Sequence, residues 1–220
     1  MIIAFCGFKG SGKDTCANYL VENYNFIKLS FASKLKDILA ILFGWNREKL
    51  EGQNTEDRLW REEIDLWWAT KLNIPHFSPR FAMQFFGTEL FRNQFHKEIW
   101  INVLEKEILL LLEKNPNQNI VISDARFPNE IELVKSMGGK IIHIYKEPLP
   151  LWFDYFKNKN QDQDQDQNEK FIKEISLLHP SETSWIITDF DEVINNSYSL
   201  ETLYKILNNI LIFWLKNNIN

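Results

Sequence analysis

The residues best suited to chemistry lie at the start of the chain: Gly7-Phe8-Lys9-Gly10-Ser11-Gly12-Lys13, followed by Asp14 and Thr15. Glycines at this spacing let successive backbone N–H groups turn inward around an anion, and Lys13 can reach the β- and γ-phosphates of a nucleotide. The apolar run Ile2–Cys6 before the loop reads as a buried strand. A helix beginning near Asp14 would aim its positive end at the same anion. An ordinary glycine-rich turn between strand and helix would share the glycines; strand, loop, lysine and helix in this order favour a phosphate site. The position after the lysine normally carries a hydroxyl that ligates Mg²⁺, and here it is Asp14, with Thr15 next. Asp14 could touch Mg²⁺ directly or through water, or could cap the helix.

A second group of candidates follows the apolar run Ile120-Val-Ile-Ser-Asp124. A strand closing on an acid is the other element a phosphate-loop protein needs, with the carboxylate holding Mg²⁺ or its water. Arg126 stands two residues on, where the carboxyl end of a strand meets a ligand crevice; a structural Asp124–Arg126 ion pair is the plainer alternative. A third group is Arg80, Gln84 and Thr88, spaced i, i+4, i+8, which share one helical face if Gly87 does not break the helix. A guanidinium, an amide and a hydroxyl there suit a phosphorylated, hydrogen-bonding ligand, or simply solvent. Lys34 and Lys36 sit in the first turn of a helix, against its dipole, either solvated or beside an anion.

The elements that must position these groups alternate strand and helix. Strands are expected at 2–6, 26–31, 120–123, 140–145 and around Val193-Ile194. Helices are expected from Asp14, over Ala32–Phe43 (apolar at Leu35, Ile38, Leu39 and Leu42), within 46–73, over 81–95, over Ile99–Leu112, from Pro128 and over Leu200–Leu215. Such βα units imply an α/β fold: a central parallel sheet flanked by helices. The 220 residues, 45% hydrophobic, suffice for one such domain, with a core about 1–44, 98–146 and 183–220. Two helical excursions, about 45–97 and 147–182, would stand over the carboxyl edge of the sheet as acceptor-binding and lid regions. The second contains the repeat Gln161-Asp-Gln-Asp-Gln-Asp-Gln167, too polar to bury a core, and its tip at 160–168 is expected to be disordered.

Composition narrows the partners. A net charge of −5 argues against a nucleic-acid surface, which needs a basic face. Most of the eight Trp and seventeen Phe are expected in the core, since a chain of this size needs them there. Cys6 and Cys16 make no disulfide framework and read as reduced packing residues of a cytosolic protein. No signal peptide is read at the start, and the apolar stretch 206–215 is too short to cross a membrane.

Five segments in order, Gly7-Phe-Lys-Gly-Ser-Gly-Lys-Asp-Thr15, Ser30-Phe-Ala32 with Leu35-Lys36, Gln84-Phe-Phe-Gly-Thr88, Asp124-Ala-Arg-Phe-Pro-Asn-Glu130 and His179-Pro-Ser-Glu182, resemble the phage-type deoxynucleoside monophosphate kinase family. The resemblance extends from residue 1 to about 215 and implies a phosphate-loop kinase that uses ATP and Mg²⁺ to phosphorylate a deoxynucleoside monophosphate. It implies that Gly10, Ser11, Gly12, Lys13, Asp14 and Thr15 hold the ATP phosphates, with Asp14 and Thr15 toward the metal. Lys9, Lys36, Arg80, Gln84, Thr88, Asp124 and Arg126 would serve the acceptor, Glu182 would lie near the return of the lid, and Lys13, Asp124 and Arg126 would be the catalytic set. Two departures stand out: the Gln-Asp repeat is foreign to the family, and the lid-like excursion contains no arginine, so Lys146, Lys157, Lys170 or Lys173 would have to replace one. A kinase of dephospho-CoA, phosphomevalonate or another small metabolite, and a nucleotide-binding module without turnover, are the competing readings. Which bases are accepted, and whether the chain dimerises, stays open.

Overall fold

The computed structural model describes residues 1–158 and 165–217. In chain order the elements are β1 (Ile2–Cys6), α1 (Lys13–Tyr24), β2 (Phe26–Leu29), α2 (Ser33–Phe43), a 3₁₀ turn (Lys49–Glu51), α3 (Thr55–Trp60), α4 (Leu66–Leu72) and α5 (Pro79–Gln84). A π-helix (Phe85–Phe95), α6 (Ile99–Lys114), β3 (Asn119–Ile122), α7 (Pro128–Ser136) and β4 (Lys140–Tyr145) come next. The chain continues with α8 (Trp152–Asn158), α9 (Gln165–Ser176), α10 (Pro180–Thr183), a 3₁₀ turn (Ser184–Ile187), β5 (Glu192–Asn195) and α11 (Leu200–Asn217). It divides into two compact units: Met1–Leu29 with Leu111–Asn220, and Ser30–Leu110.

The first unit holds the sheet. Its five strands run in the order β2-β3-β1-β4-β5 and every pairing is parallel. Parallel neighbours require crossover connections, and helices supply them, giving the α/β architecture expected of a phosphate-loop kinase. β1 lies at the centre, buried along its whole length, and reads as a continuous apolar run because both of its faces are covered. The chain leaves β1 toward β2 and β3, then crosses to β4 and β5 on the other side. That reversal puts a ligand crevice at the carboxyl end of β1, where the glycine loop begins. Ile3, Phe5, Val121, Ile142 and Ile144 pack with Cys16, Ala17 and Leu20 of α1 and Leu203, Leu207 and Leu211 of α11. Each Val, Leu, Ile or Phe side chain so removed from water stabilises the fold by about 1.5–3 kcal/mol. Burial pushes both thiols, Cys6 and Cys16, up to about 12, so they are packing groups and not nucleophiles at neutral pH.

The second unit is helical. Its core is Leu35, Leu39, Phe43, Leu50, Phe77, Ala82 and Trp100. The expected apolar face of α2 is corrected here: Ile38 and Leu42 are exposed, and the buried stripe is Leu35, Lys36, Leu39 and Phe43. The i, i+4, i+8 row of Leu35, Leu39 and Phe43 wins because Phe43 meets Trp45, Trp68, Phe77 and Phe86, giving that face more apolar surface to cover. Gly87 does not break the 79–95 helix, but the winding widens to a π-helix after Gln84, so the α-helical register assumed for Arg80, Gln84 and Thr88 is not kept. Gly87 is needed where it stands, since an added Cβ would press on Leu35 Cδ2 at 2.9 Å, and its carbonyl accepts from Trp100 Nε1 at 2.8 Å.

The expected disordered tip at 160–168 is corrected in part. Helix α9 begins at Gln165, inside the repeat; residues 159–164 lie outside the described residues. Gln, Glu and Lys are good helix formers, and Phe171 and Ile175, at i and i+4, give this helix a half-buried stripe.

Candidate active site

Residues 7–13 form a nest whose shape depends on glycine. Gly7, Gly10 and Gly12 have φ of 142°, 82° and 108°. A Cβ at Gly7 would collide with the Ile144 carbonyl, so close approach to β4 is the second reason for glycine there. Ser11 N donates to Phe8 O at 3.2 Å, and Cys16 N to Gly12 O at 3.0 Å, which ties the loop into the first turn of α1. Ser11 Oγ lies beside Gly7, buried and without a hydrogen-bond partner among the described residues. A buried hydroxyl in a cradle too tight for side chains fits a phosphate that brings its own acceptor oxygens.

Lys13 folds back over this loop, its Nζ donating to Gly7 O and Phe8 O, both at 2.8 Å. Burial, and then the positive charge of Arg126, bring its ammonium down to about 8, against the pull of Asp14 and Glu182. Its partners are neutral carbonyls, which a phosphate can replace. Phe8 anchors the loop from the other side, with Trp152, Phe153 and Trp185 edge-on to its ring at centroid distances of 5.7, 5.9 and 5.0 Å.

Asp14 Oδ1 accepts from Lys28 Nζ at 2.8 Å and from Ser123 Oγ at 2.9 Å. Burial would raise its carboxyl, but Lys28 beside it and the Ser123 hydroxyl hold it below the usual carboxylate range. The usual pattern puts a hydroxyl on the helix and an acid at the strand end; here the carboxylate is on α1 and the hydroxyl, Ser123, follows β3. Ser123 and Lys28 were missed by the sequence reading. Both are ordinary residues until β2 and β3 are set side by side.

Asp124, half-buried, stands in the loop between β3 and α7. Glu130, itself buried, folds back from α7 to accept from Arg126 N at 2.7 Å and Phe127 N at 3.1 Å, fixing that loop. Arg126 Nη1 donates to Glu182 Oε1 at 3.0 Å and to Ser181 O at 3.2 Å. His179 caps the one-turn helix α10, and the Glu182 carboxylate of that helix orients the guanidinium. Lys9 is exposed and shares with Phe8, Pro150, Trp152 and Glu182 a cavity of about 530 Å³. Loop, Lys13, Asp14, Ser123, Arg126 and Glu182 all belong to the first unit.

Lys36, Arg80, Gln84 and Thr88 belong to the second unit. Lys36 is buried and paired with Glu51 Oε2 at 2.5 Å; Arg47 Nη1 reaches Glu51 Oε1 at 2.5 Å and its Nε reaches Asp37 Oδ1 at 2.6 Å. Lys34 pairs with Asp37 at 3.4 Å. Arg80 lies 3.9 Å from Glu62, Gln84 is half-buried and Thr88 is buried.

A central β1, a glycine nest with a buried lysine, and a second strand whose terminal hydroxyl meets the first helix together define a phosphate-loop nucleotide-binding protein. The family model for deoxynucleotide monophosphate kinase matches residues 1–66 and 61–207, and the chain belongs to that family. The deoxynucleotide monophosphate kinase of Enterobacteria phage T4 is 24% identical over 261 aligned positions, covering 96% of this chain and 98% of that protein. A protein of Acanthamoeba polyphaga mimivirus, provisionally named for the same activity, is 34% identical over 151 residues, 66% of this chain and 73% of its own length. Among solved structures, a dephospho-CoA kinase from Campylobacter jejuni aligns with a TM-score of 0.49 and 17% identity over 99% of this chain and 98% of that one, a level that says nothing of the acceptor. Among the described residues no helix is long and apolar enough to cross a membrane.

Proposed function

We propose that this chain transfers the γ-phosphoryl group of ATP to a deoxynucleoside monophosphate, releasing ADP and the diphosphate. The observation that carries this reading is the pair of fixed cations in the first unit: Lys13, held by the carbonyls of the loop after β1, and Arg126, held by Glu182, in the loop after β3. Two polyanions can be brought together only where fixed positive charge answers both. Gly10, Ser11, Gly12 and Lys13 bind the donor phosphates; Arg126, steadied by Glu182, clamps the acceptor phosphate through two parallel hydrogen bonds. Asp14 and Thr15 offer hard oxygen ligands of the kind Mg²⁺ takes alongside substrate phosphates. When bound, that ion neutralises charge on the phosphate oxygens. Lys9, Arg80, Gln84, Thr88 and Asp124 stay on the acceptor side of this reading by family resemblance; Lys36, expected there too, is instead neutralised by Glu51. A cytosolic, reducing setting suits the buried free Cys6 and Cys16.

Arg126→Ala tests the reading. The acceptor KM should rise and kcat fall, with ATP affinity little changed; Arg126→Lys should also be poor because an ammonium lacks the planar fork. Equal weakening of ATP and acceptor would remove Arg126 from the acceptor side. A wild-type enzyme that releases no ADP with any of the four common deoxynucleoside monophosphates would refute the substrate class.

A further inference from the structure

The glycine loop is held by a residue from the far end of the chain. Asn196, directly after β5, is buried, and its Nδ2 donates to Ser11 O at 2.8 Å across a separation of 185 residues. Its backbone N–H donates to Tyr145 O at 2.7 Å, so the end of β4 fixes the asparagine itself. The amide also lies directly against Gly12: a Cβ added there would collide with Nδ2, and the φ of 108° already excludes a side chain.

We propose that Asn196 is a positioning residue for the donor-phosphate loop, holding the Ser11–Gly12 peptide so that the Gly12 N–H faces the phosphate. The proposal rests on reading this loop as the donor site. The peptide unit is planar and trans, so the Gly12 N–H points opposite to the Ser11 carbonyl. With that carbonyl bound to Asn196, the N–H faces away from β5 and toward the concave side of the nest. A peptide turned over would present a carbonyl oxygen to the phosphate, losing a donor and adding repulsion. Gly12, with its positive φ, makes this peptide easier to turn than one between two side-chain-bearing residues, so an external tie is what keeps it in one state. A buried hydrogen bond, shielded from water, is well suited to that.

Calorimetric titration with ADP of the wild type and of Asn196→Ala tests the proposal. The variant should bind ADP about tenfold more weakly, equivalent to about 1.4 kcal/mol. Its ATP KM should rise while the acceptor KM stays put, a split that general loosening of the fold would not produce. In ¹⁵N-labelled protein the Gly12 amide should shift on adding ADP to the wild type and shift much less in the variant. The backbone bond to Tyr145 survives the substitution, so the variant should fold. If it does not, Asn196→Ser, whose hydroxyl is too short to reach the Ser11 carbonyl, is read by the same titration. ADP affinity within twofold of wild type in a folded variant, or equal losses for both substrates, would overturn the proposal. The ADP titration needs no acceptor, so failure of the deoxynucleotide reading would leave it interpretable; a wild type that binds no ADP would instead refute the donor site.

Discussion

Two lysines in this molecule are buried to nearly the same extent and are held in opposite ways. Lys13, in the first unit, is 9% exposed; Lys36, in the second, is 8% exposed. Lys36 is answered by a carboxylate, Glu51, which it shares with Arg47, and Arg47 in turn holds Asp37. Lys13 is held by two carbonyl oxygens and faces a second cation, Arg126. A buried charge with a full counter-charge is structure. One held by neutral dipoles keeps most of its attraction for an incoming anion. Burial alone does not tell a binding lysine from a stapling one; the charge of its partners does.

The sharpest way to break this contrast is Lys13→Met. Loss of a donor-phosphate contact in a water-poor site should lower kcat about a hundredfold to a thousandfold, on the order of 3–4 kcal/mol, in steady-state assays. Thermal melting should not fall, because a desolvated ammonium has been removed. The lowered ammonium adds a proton signature. With Lys13 titrating at about 8, a bound polyanion raises it, so ADP binding at pH 8 should take up about half a proton. Calorimetry in buffers of different ionisation heat measures that uptake, and Lys13→Met should abolish it.

His143 extends the same contrast to a group with no counter-charge. It lies 3% exposed among Tyr145, Phe153, Trp185 and Phe190, and its Nε2 has no hydrogen-bond partner among the described residues. Burial, with Lys157 and Lys13 adding to it, lowers its pKa from 6.5 to about 4. The unfolded chain therefore binds this proton as pH falls through 6.5, while the folded chain binds it only near 4. Stability due to neutral His143 is complete above 6.5 and is lost between 6.5 and 4, on the order of 3 kcal/mol. His143→Phe should flatten the stability profile over that window, followed by urea unfolding at several pH values.

The smallest effect is expected in the ion network. Glu51→Gln should cost on the order of 1 kcal/mol, since Arg47 keeps Asp37 and the Glu51 side chain is only partly shielded from solvent. Burial would raise the Glu51 carboxyl, but Lys36 and Arg47 hold it below the usual range. Its contribution is thus present above the unfolded carboxylate pKa and lost as pH falls through the folded one. The variant should lose less stability in acid than the wild type. A Glu51→Gln protein with Lys13→Met-like loss of turnover would erase the distinction between the two lysines.

Much of the site was legible because local chemistry writes it. Strands β1 and β4 fall on their expected residues, Ile2–Cys6 and Lys140–Tyr145, since a doubly covered parallel strand is largely apolar; His143 is the polar exception in β4. The loop was legible because positive φ demands glycine at Gly7, Gly10 and Gly12. Helix faces were read less well. On α2 the sequence offers two apolar stripes, and only the aromatic cluster around Phe43 selects between them. The π-helix after Gln84 has no local signature that distinguishes it from an α-helix.

By itself the sequence determined what each residue could do: which segments must be buried, where the backbone must turn left-handed, and that a lysine follows a nest of amides. Only the tertiary structure decided which residues meet. Ser123 reaches Asp14 across 109 residues, Arg126 reaches Glu182 across 56, and Asn196 reaches Ser11 across 185. None of these pairs is implied by propensity or period, because a hydrogen bond between distant residues depends on strand order. That order, β2-β3-β1-β4-β5, is a property of the packed sheet as a whole.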